Sequence, residues 1–445
     1  MSRFVRHLLC AAIVAAVSAG TGSAQLLGPV ALPPVSLPSA VGNVPVAGPL
    51  LQNVLVSPQL RQQVVNPTLD TVEGLPRSVA QSRASTLAEF RRLRLQELIR
   101  TNRATVESDG TGLPVRRGVV AVLDPDPAGL QAALRAGFRI AGDDRDSSLG
   151  MRVVSLVAPR GLSARDGLRL LRKVAPQLQA DFDHLFEPAG GPLAAVTGAL
   201  AASRSTVGGR VIGMIDGGIA SHPALARARI EQNGFAGTPQ PTGHGTAVAS
   251  LLVGSQGAFR GAATGASLFA ADVYGGNRAA GSATAIVKAL GWLASHHPQV
   301  INISLVGPPN KLVQRAIEIV QARGIAVVAA VGNDGPAAPP QYPASYRNVI
   351  AVTGVDARGR ALPEAGKAAH LDFAAPGADM AAALPGQGYT RVRGTSFAAP
   401  FAAARLLAAG SPARLAAEAR PGKGRVGRGI VCGMCRIDPR IVRAR

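Results

Sequence analysis

The sequence predicts an α/β protein in which a parallel sheet carries helices on both faces and follows a small α+β domain. Two observations carry this. From residue 210 onward, continuous apolar or β-branched runs are separated by helical stretches, and strands too apolar to alternate belong to parallel sheets buried on both sides. Upstream, residues 119–188 follow the order βαββαβ, which folds as an antiparallel sheet with two helices on one face. The chain has 445 residues, 47% of them hydrophobic, and so has the apolar material for such cores.

Residues 1–24 have the layout of a secretory signal peptide. Arg3 and Arg6 precede the apolar run 8–17, and the small residues Gly22, Ser23 and Ala24 end it. The run is too short for a membrane span, and no later stretch is long and apolar enough to anchor the chain. The mature protein is therefore expected to be secreted or periplasmic, without a membrane span. Residues 25–118 form a lead-in. Its first part, 25–67, is rich in Pro and includes Leu32-Pro33-Pro34-Val35. A helical region near 85–103 follows, with Leu87, Phe90, Leu93, Leu95 and Leu98 interleaved with arginines. The sequence assigns this helix no role.

In the small domain, 119–188, strand 119–123 precedes helix 127–136. The segments 138–141 and 151–157 form a hairpin pair, 164–174 a second helix and 180–186 a closing strand. A link rich in Gly and Ala, 189–209, leads to the large domain, 210–435. There the expected strands are 211–215, 267–273, 300–304, 325–330 and 349–353, and the helices are 247–253, 282–295, 312–323 and 397–409. In such sheets chemistry collects at the carboxyl ends of strands and the adjoining helix starts. Residues 436–445 are expected to be a basic tail.

The formal charge of +21, most of it arginine, falls to +19 when Arg3 and Arg6 leave with the signal. The arginines are scattered among alanines and glycines, and aromatics are only 4% of the chain, so no nucleic-acid partner is expected. After loss of Cys10, the cysteines are Cys432 and Cys435, spaced C-x-x-C. A local disulfide is expected, with free thiols or half of a metal site as alternatives. Redox catalysis is disfavoured, because the pair sits near the end of the chain outside a βαβ pattern.

Three short motifs carry candidate chemistry. Asp216 follows the first strand of the large domain, ahead of Gly217-Gly218, and by itself would read as a turn. His222, six residues on, reads as a loop residue. His244 lies between Gly243 and Gly245 just before a helix, where small neighbours let it reach a nucleophile as a base. Ser396, in Gly394-Thr395-Ser396-Phe397-Ala398-Ala399-Pro400, opens a helix and could simply cap it. The free N–H groups and positive dipole end of that helix also suit an anion developing beside Ser396. Asn333, in a turn bracketed by Gly332 and Gly335, could donate to that anion beside the Ser396 N–H, although Asn in a turn is commonly only a turn former.

Together, Asp216, the Gly-His-Gly-Thr motif, the Gly-Asn turn and Gly-Thr-Ser-x-Ala-x-Pro resemble the subtilisin-like serine peptidases over roughly residues 210–410. The resemblance implies a subtilisin-like catalytic domain preceded by a ferredoxin-like prosegment domain. By that resemblance Ser396 attacks the scissile carbonyl, His244 shuttles the proton, Asp216 orients the imidazole, and Asn333 with the Ser396 N–H binds the oxyanion. Ser304, Leu305, Val306 and Gly307 would form one wall of the primary specificity pocket, and Ala330, Val331 and Gly332 the other. Residues 274–282 would pair with an extended substrate.

Some positions depart from the family pattern. Gly217 replaces a small hydroxylated residue, Val306 a glycine and Phe397 a methionine. The resemblance implies protein or peptide substrates, no cofactor required for catalysis, and the chain's own prosegment as an intramolecular inhibitor, cut somewhere in 189–209. Structural calcium is left open, though the domain has few carboxylates. The alternatives are a catalytically silent subtilase fold kept as a binding module, a peptidase using glutamate in place of histidine as the sedolisins do, and a basic protein binding an acidic polymer. The intact Asp216, His244, Asn333 and Ser396 argue against the first two.

Overall fold

The computed structural model describes residues 77–193, 208–386, 388–440 and 442. The expected signal peptide 1–24, the Pro-rich segment 25–67 and most of the link 189–209 lie outside the described residues. Helix α1 (Arg77–Thr101) comes first, and its Leu98 and Ile99 pack with Val106, Leu185 and Ala279. The small domain then runs β1 (Val106–Ser108), β2 (Pro114–Leu123), α2 (Pro127–Arg135), β3 (Arg139–Asp146), β4 (Met151–Val157), α3 (Ala164–Val174) and β5 (Gln179–His184). Both helices start on caps that satisfy free backbone donors: Asp126 accepts from the Gly129 N–H and Ser163 from the Asp166 N–H.

Strand β2 is the hub of an antiparallel sheet, pairing with β1, β4 and β5, while β4 also pairs with β3. Alternate residues of these strands face opposite ways. Val120, Val122, Val154 and Leu156 meet Leu130, Leu168 and Leu171 of the two helices. Ala121, Leu123, Met151 and Val153 instead join a core shared with the large domain. The domain boundary at residue 119 is corrected here, since 106–108 and 114–118 belong to the same sheet. Arg116, Arg117 and Gly118 break the apolar pattern, and the β2–β5 register shifts between Val115 and Val120, so this half of the strand does not read as one.

Past the short strands β6 (Glu187–Pro188) and β7 (Gly191–Leu193), the large domain begins with β8 (Val211–Asp216), β9 (Arg229–Gly234) and α4 (Gly243–Val253). It continues with the hairpin β10 (Ser255–Gln256) and β11 (Phe259–Arg260), β12 (Ser267–Asp272), α5 (Ala283–Ser295), β13 (Val300–Ile303), β14 (Leu305–Val306), α6 (Lys311–Ala322) and β15 (Ala326–Ala330). It closes with β16 (Ile350–Val355), β17 (Phe373–Pro376), the hairpin β18 (Met380–Ala383) and β19 (Tyr389–Arg393), α7 (Thr395–Ala409) and α8 (Pro412–Glu418). Seven strands form one sheet in the order β17-β16-β15-β13-β8-β12-β9, every pair parallel. Helices α4 and α7 pack on one face and α5 and α6 on the other.

The five expected strands are the interior of this sheet. Its two edges, β9 and β17, were not expected. Strand β9 reads Arg-Ile-Glu-Gln-Asn-Gly and is largely exposed, and β17 is four residues ending in Pro376. Polar or Pro-terminated strands are the usual form of a sheet edge and lack the apolar run that reveals an interior strand.

The basic tail is also corrected. Ile437 is buried and its carbonyl accepts from the Ala381 N–H, while the Arg436 guanidinium reaches the carbonyls of Ala378 and Asp356. Arg436 and Ile437 thus continue the domain. Cys432 and Cys435 are joined as a disulfide. Among the described residues no helix is long and apolar enough to cross a membrane.

Candidate active site

Asp216 is the last residue of β8, at the carboxyl edge of the sheet, and is almost wholly buried. The Gly217 N–H donates to its Oδ1 at 2.7 Å. His244 is the second residue of α4, which starts at Gly243, earlier than the expected 247, behind a Thr242 cap. A Cβ on Gly245 would lie 2.1 Å from the Gly217 carbonyl oxygen. Only glycine there lets the start of α4 approach the end of β8 closely enough to bring the two side chains together.

The His244 Nδ1 lies 2.8 and 2.9 Å from the two Asp216 oxygens, and its Nε2 lies 3.0 Å from the Ser396 Oγ. A carboxylate only accepts, so Nδ1 carries the proton and Nε2 offers a lone pair to the hydroxyl. The Phe397 ring flanks the imidazole, 5.3 Å between centroids.

Ser396 does not cap its helix. Gly394 takes the cap position with φ 140°, and Ser396 is the second residue of α7, fully buried in this arrangement. A Cβ on Gly394 would stand 2.9 Å from the Asn333 Nδ2 and 3.3 Å from the Ala189 carbonyl oxygen. The Thr395 N–H donates to the Asn333 Oδ1 at 3.0 Å, which turns the amide nitrogen toward Ser396. Thr395 Oγ1 accepts from the Gly332 N–H, and the Ser304 hydroxyl donates to the Ser396 carbonyl at 2.9 Å. Thr395 is thus a fastener that sequence reasoning missed, although it stands within the serine motif.

The cleft is filled by the chain itself. The Phe186 N–H donates to the Gly281 carbonyl at 2.7 Å, and the Tyr274 hydroxyl donates to the Phe186 carbonyl at 3.1 Å. Strand β6 pairs antiparallel with β14, setting Leu305 against Pro188 and Val306 against Glu187. The Ala189 N–H donates to the Ser304 carbonyl at 3.0 Å. The Ala189 carbonyl then accepts from the Ser396 N–H at 3.2 Å and from the Asn333 amide nitrogen. Beyond it β7 pairs antiparallel with β19. A Cβ on Gly190 would fall 2.4 Å from the Ser396 Oγ. Residues 189–193, expected to be link, therefore lie along the cleft in extended form.

Of the other expected site residues, Gly307 lies under the Phe186 ring and Gly332 holds a positive φ of 87°. Ala330 is buried on the α7 side of the sheet, and Val331 turns into the core on the α5 and α6 side rather than toward the cleft. His222 stands apart. It caps a short turn, accepting from the Ala224 N–H, and its Nε2 meets the Gly388 carbonyl at 2.9 Å.

Helix α1 straps this cleft. Arg91 meets Asp334, the neighbour of Asn333, at 3.0 Å, and Arg94 reaches both Asp334 and Glu187 at 3.1 Å. Burial alone would lower the Arg94 pKa, but Glu187 and Asp334 outweigh it and raise it further. Among the described residues no group of three or more His, Cys, Asp or Glu could hold a metal ion.

A sequence model of the subtilase family matches residues 208–412. Subtilisin Savinase of Lederbergia lenta is 34% identical over 204 residues, which are 44% of this chain and 75% of that protein. This chain belongs to the subtilase family. Membership supports a serine endopeptidase, a hydrolase of peptide bonds. Alkaline protease of Alkalihalobacillus alcalophilus is also 34% identical, and there the match spans 53% of the relative's length. Among solved structures, fervidolysin from Fervidobacterium pennivorans, a keratinolytic enzyme related to subtilisin, superposes with a TM-score of 0.61 at 18% identity, over 72% of this chain and 61% of that one. At that identity it shows the subtilisin-like fold alone.

Proposed function

We propose that this subtilase is a secreted serine endopeptidase made as a zymogen, that Ser396, His244 and Asp216 are its triad, and that it cuts its own chain between Ala189 and Gly190. The observation that carries this reading is the Ala189 carbonyl, held between the Ser396 N–H and the Asn333 amide beside the Ser396 hydroxyl. Two converging donors at the carbonyl of an extended segment are what acyl transfer requires.

In the reaction, the Ser396 Oγ bonds to the Ala189 carbonyl carbon while His244 Nε2 takes the hydroxyl proton. Negative charge moves to the carbonyl oxygen, where the two donors strengthen their hydrogen bonds, and Asp216 stabilises the imidazolium. The C–N bond to Gly190 then breaks, and His244 returns the proton to the leaving amine. Water, activated by the same histidine, releases Ala189 from Ser396. No cofactor enters these steps. The segment from α1 to Ala189 is the prosegment, which fills the cleft until it leaves. The N-terminal signal-like sequence, with Arg3 and Arg6 ahead of an apolar run, supports export.

The test is expression of the full chain beside Ser396→Ala, with a serine-directed phosphonate as probe. The wild type should yield a fragment beginning at Gly190, digest a denatured protein and take the label at Ser396. The variant should stay whole and unlabelled. A processed, folded wild type that neither digests nor labels would leave a subtilase fold that only binds.

A further inference from the structure

We infer that Val306 and Gln341 close the primary specificity pocket, so that the enzyme accepts only a residue of about alanine's size before the scissile bond. This inference rests on the peptidase reading above and specifies its substrates. The two pocket walls are the segment around β14 and the turn ending at Gly332, with Ala189 seated between the main chain of the first wall and the Ser396 and Asn333 donors. Gly332 faces the space between them. A Cβ built on it would lie 3.3 Å from Val306 Cγ1 and 3.3 Å from Gln341 Cγ, inside ordinary van der Waals contact. Two side chains from different segments thus converge where a larger substrate side chain would have to go.

Neither can step aside easily. Val306 is buried and packs in the same core cluster as Ala189. Gln341 is also buried, and its Nε2 donates to the Pro339 carbonyl at 2.7 Å. Its backbone is pinned as well, with the N–H bonded to the Lys367 carbonyl and the carbonyl accepting from the Ser345 hydroxyl at 2.6 Å. The next residue, Tyr342, pairs with Gly307 through two backbone hydrogen bonds, which fixes this segment against the first wall. A leucine or phenylalanine before the scissile bond would have to displace a packed valine and a hydrogen-bonded glutamine. Forcing such groups into a filled interior lowers reactivity by roughly 10- to 200-fold. The chain's own Ala189 meets the limit.

The test uses enzyme matured from the full chain and capped chromogenic peptides Phe-Glu-Pro-X, with X as Gly, Ala, Val, Leu or Phe, the first three residues copying 186–188. Digestion of denatured protein and phosphonate labelling are run alongside. Wild type should favour Ala over Leu and Phe by at least about 10-fold in kcat/KM. The double variant Val306→Gly, Gln341→Gly should gain about 10-fold or more on Leu and Phe relative to Ala. Wild type that digests, labels and cleaves Leu or Phe peptides as fast as the Ala peptide would overturn the inference while leaving the peptidase reading intact. Loss of digestion and labelling in wild type would remove both. A folded double variant that keeps the wild-type ranking would also overturn it; should that variant fail to fold, Val306→Ala is read in the same way.

Discussion

Replacing both Arg91 and Arg94 with alanine should hasten release of the cleaved prosegment without altering one residue of the mature enzyme. Both arginines lie on α1 and end on the Asp334 carboxylate, whose side chain is only 6% exposed, at 3.0 and 3.1 Å. Removing them leaves that carboxylate desolvated by the strap but unpaired. Stripping the partners from a buried charge costs about 3–5 kcal/mol. The figure must be discounted, because the Arg94 side chain is 48% exposed and its pairs are screened. About 2–3 kcal/mol remains, or roughly 30- to 150-fold in the dissociation rate if the loss falls on the bound complex. The assay follows peptide hydrolysis after self-cleavage and reads the lag before full activity, with sequencing to confirm the same Gly190 end. Raised salt should shorten the wild-type lag and barely affect the variant. A lag within twofold of wild type would show that these ion pairs do not hold the strap.

Two other outcomes follow from the same geometry. Asn333→Ala should lower kcat by about 100- to 1,000-fold with little change in KM, measured on a peptide carrying Ala before the scissile bond; an equal loss in both parameters' ratio through KM alone would remove it from the oxyanion site. Burial alone would raise the Asp109 carboxyl pKa, but the His184 ring 3.8 Å away and hydrogen bonds from Thr111 and the Leu113 N–H hold it down to about 2. Its folded value lies below the unfolded one, so its contribution of about 2 kcal/mol is complete above pH 4 and is lost as pH falls from 4 toward 2. Thermal melts of the full-length Ser396→Ala chain should therefore drop over that interval, and Asp109→Asn should flatten the drop; equal drops in both chains would assign the acid sensitivity elsewhere.

The interior strands and the four motif residues were legible because each is written in a run of neighbours: β-branched stretches for the strands, glycines for the close approaches at Gly245 and Gly394. What failed to show had no local pattern. Strands β9 and β17 are edges, and a polar or Pro-ended edge resembles a loop. The first half of β2 hides behind Arg116 and Arg117. Arg91 and Arg94 looked like two of many scattered arginines, since their partner Asp334 lies some 240 positions away. Gln341 stands in a Pro-rich stretch with no motif, and only the position of Gly332 opposite reveals what its side chain occupies. Val306 reads as a departure from the family's glycine, but the closure proposed for it needs Gln341 as well. Pairings between distant segments are where a single sequence says least.

The pairing of β6 with β14 and of β7 with β19 fixes the segment around Ala189 at both ends. A substrate delivered by its own backbone is present at a concentration that no dilution can change. The proposed cut at this bond would then be first order in the chain, with a half-life the same in a crowded compartment and in a nearly empty one. On that reading, encounters between molecules would begin to matter only for the second bond that the site breaks.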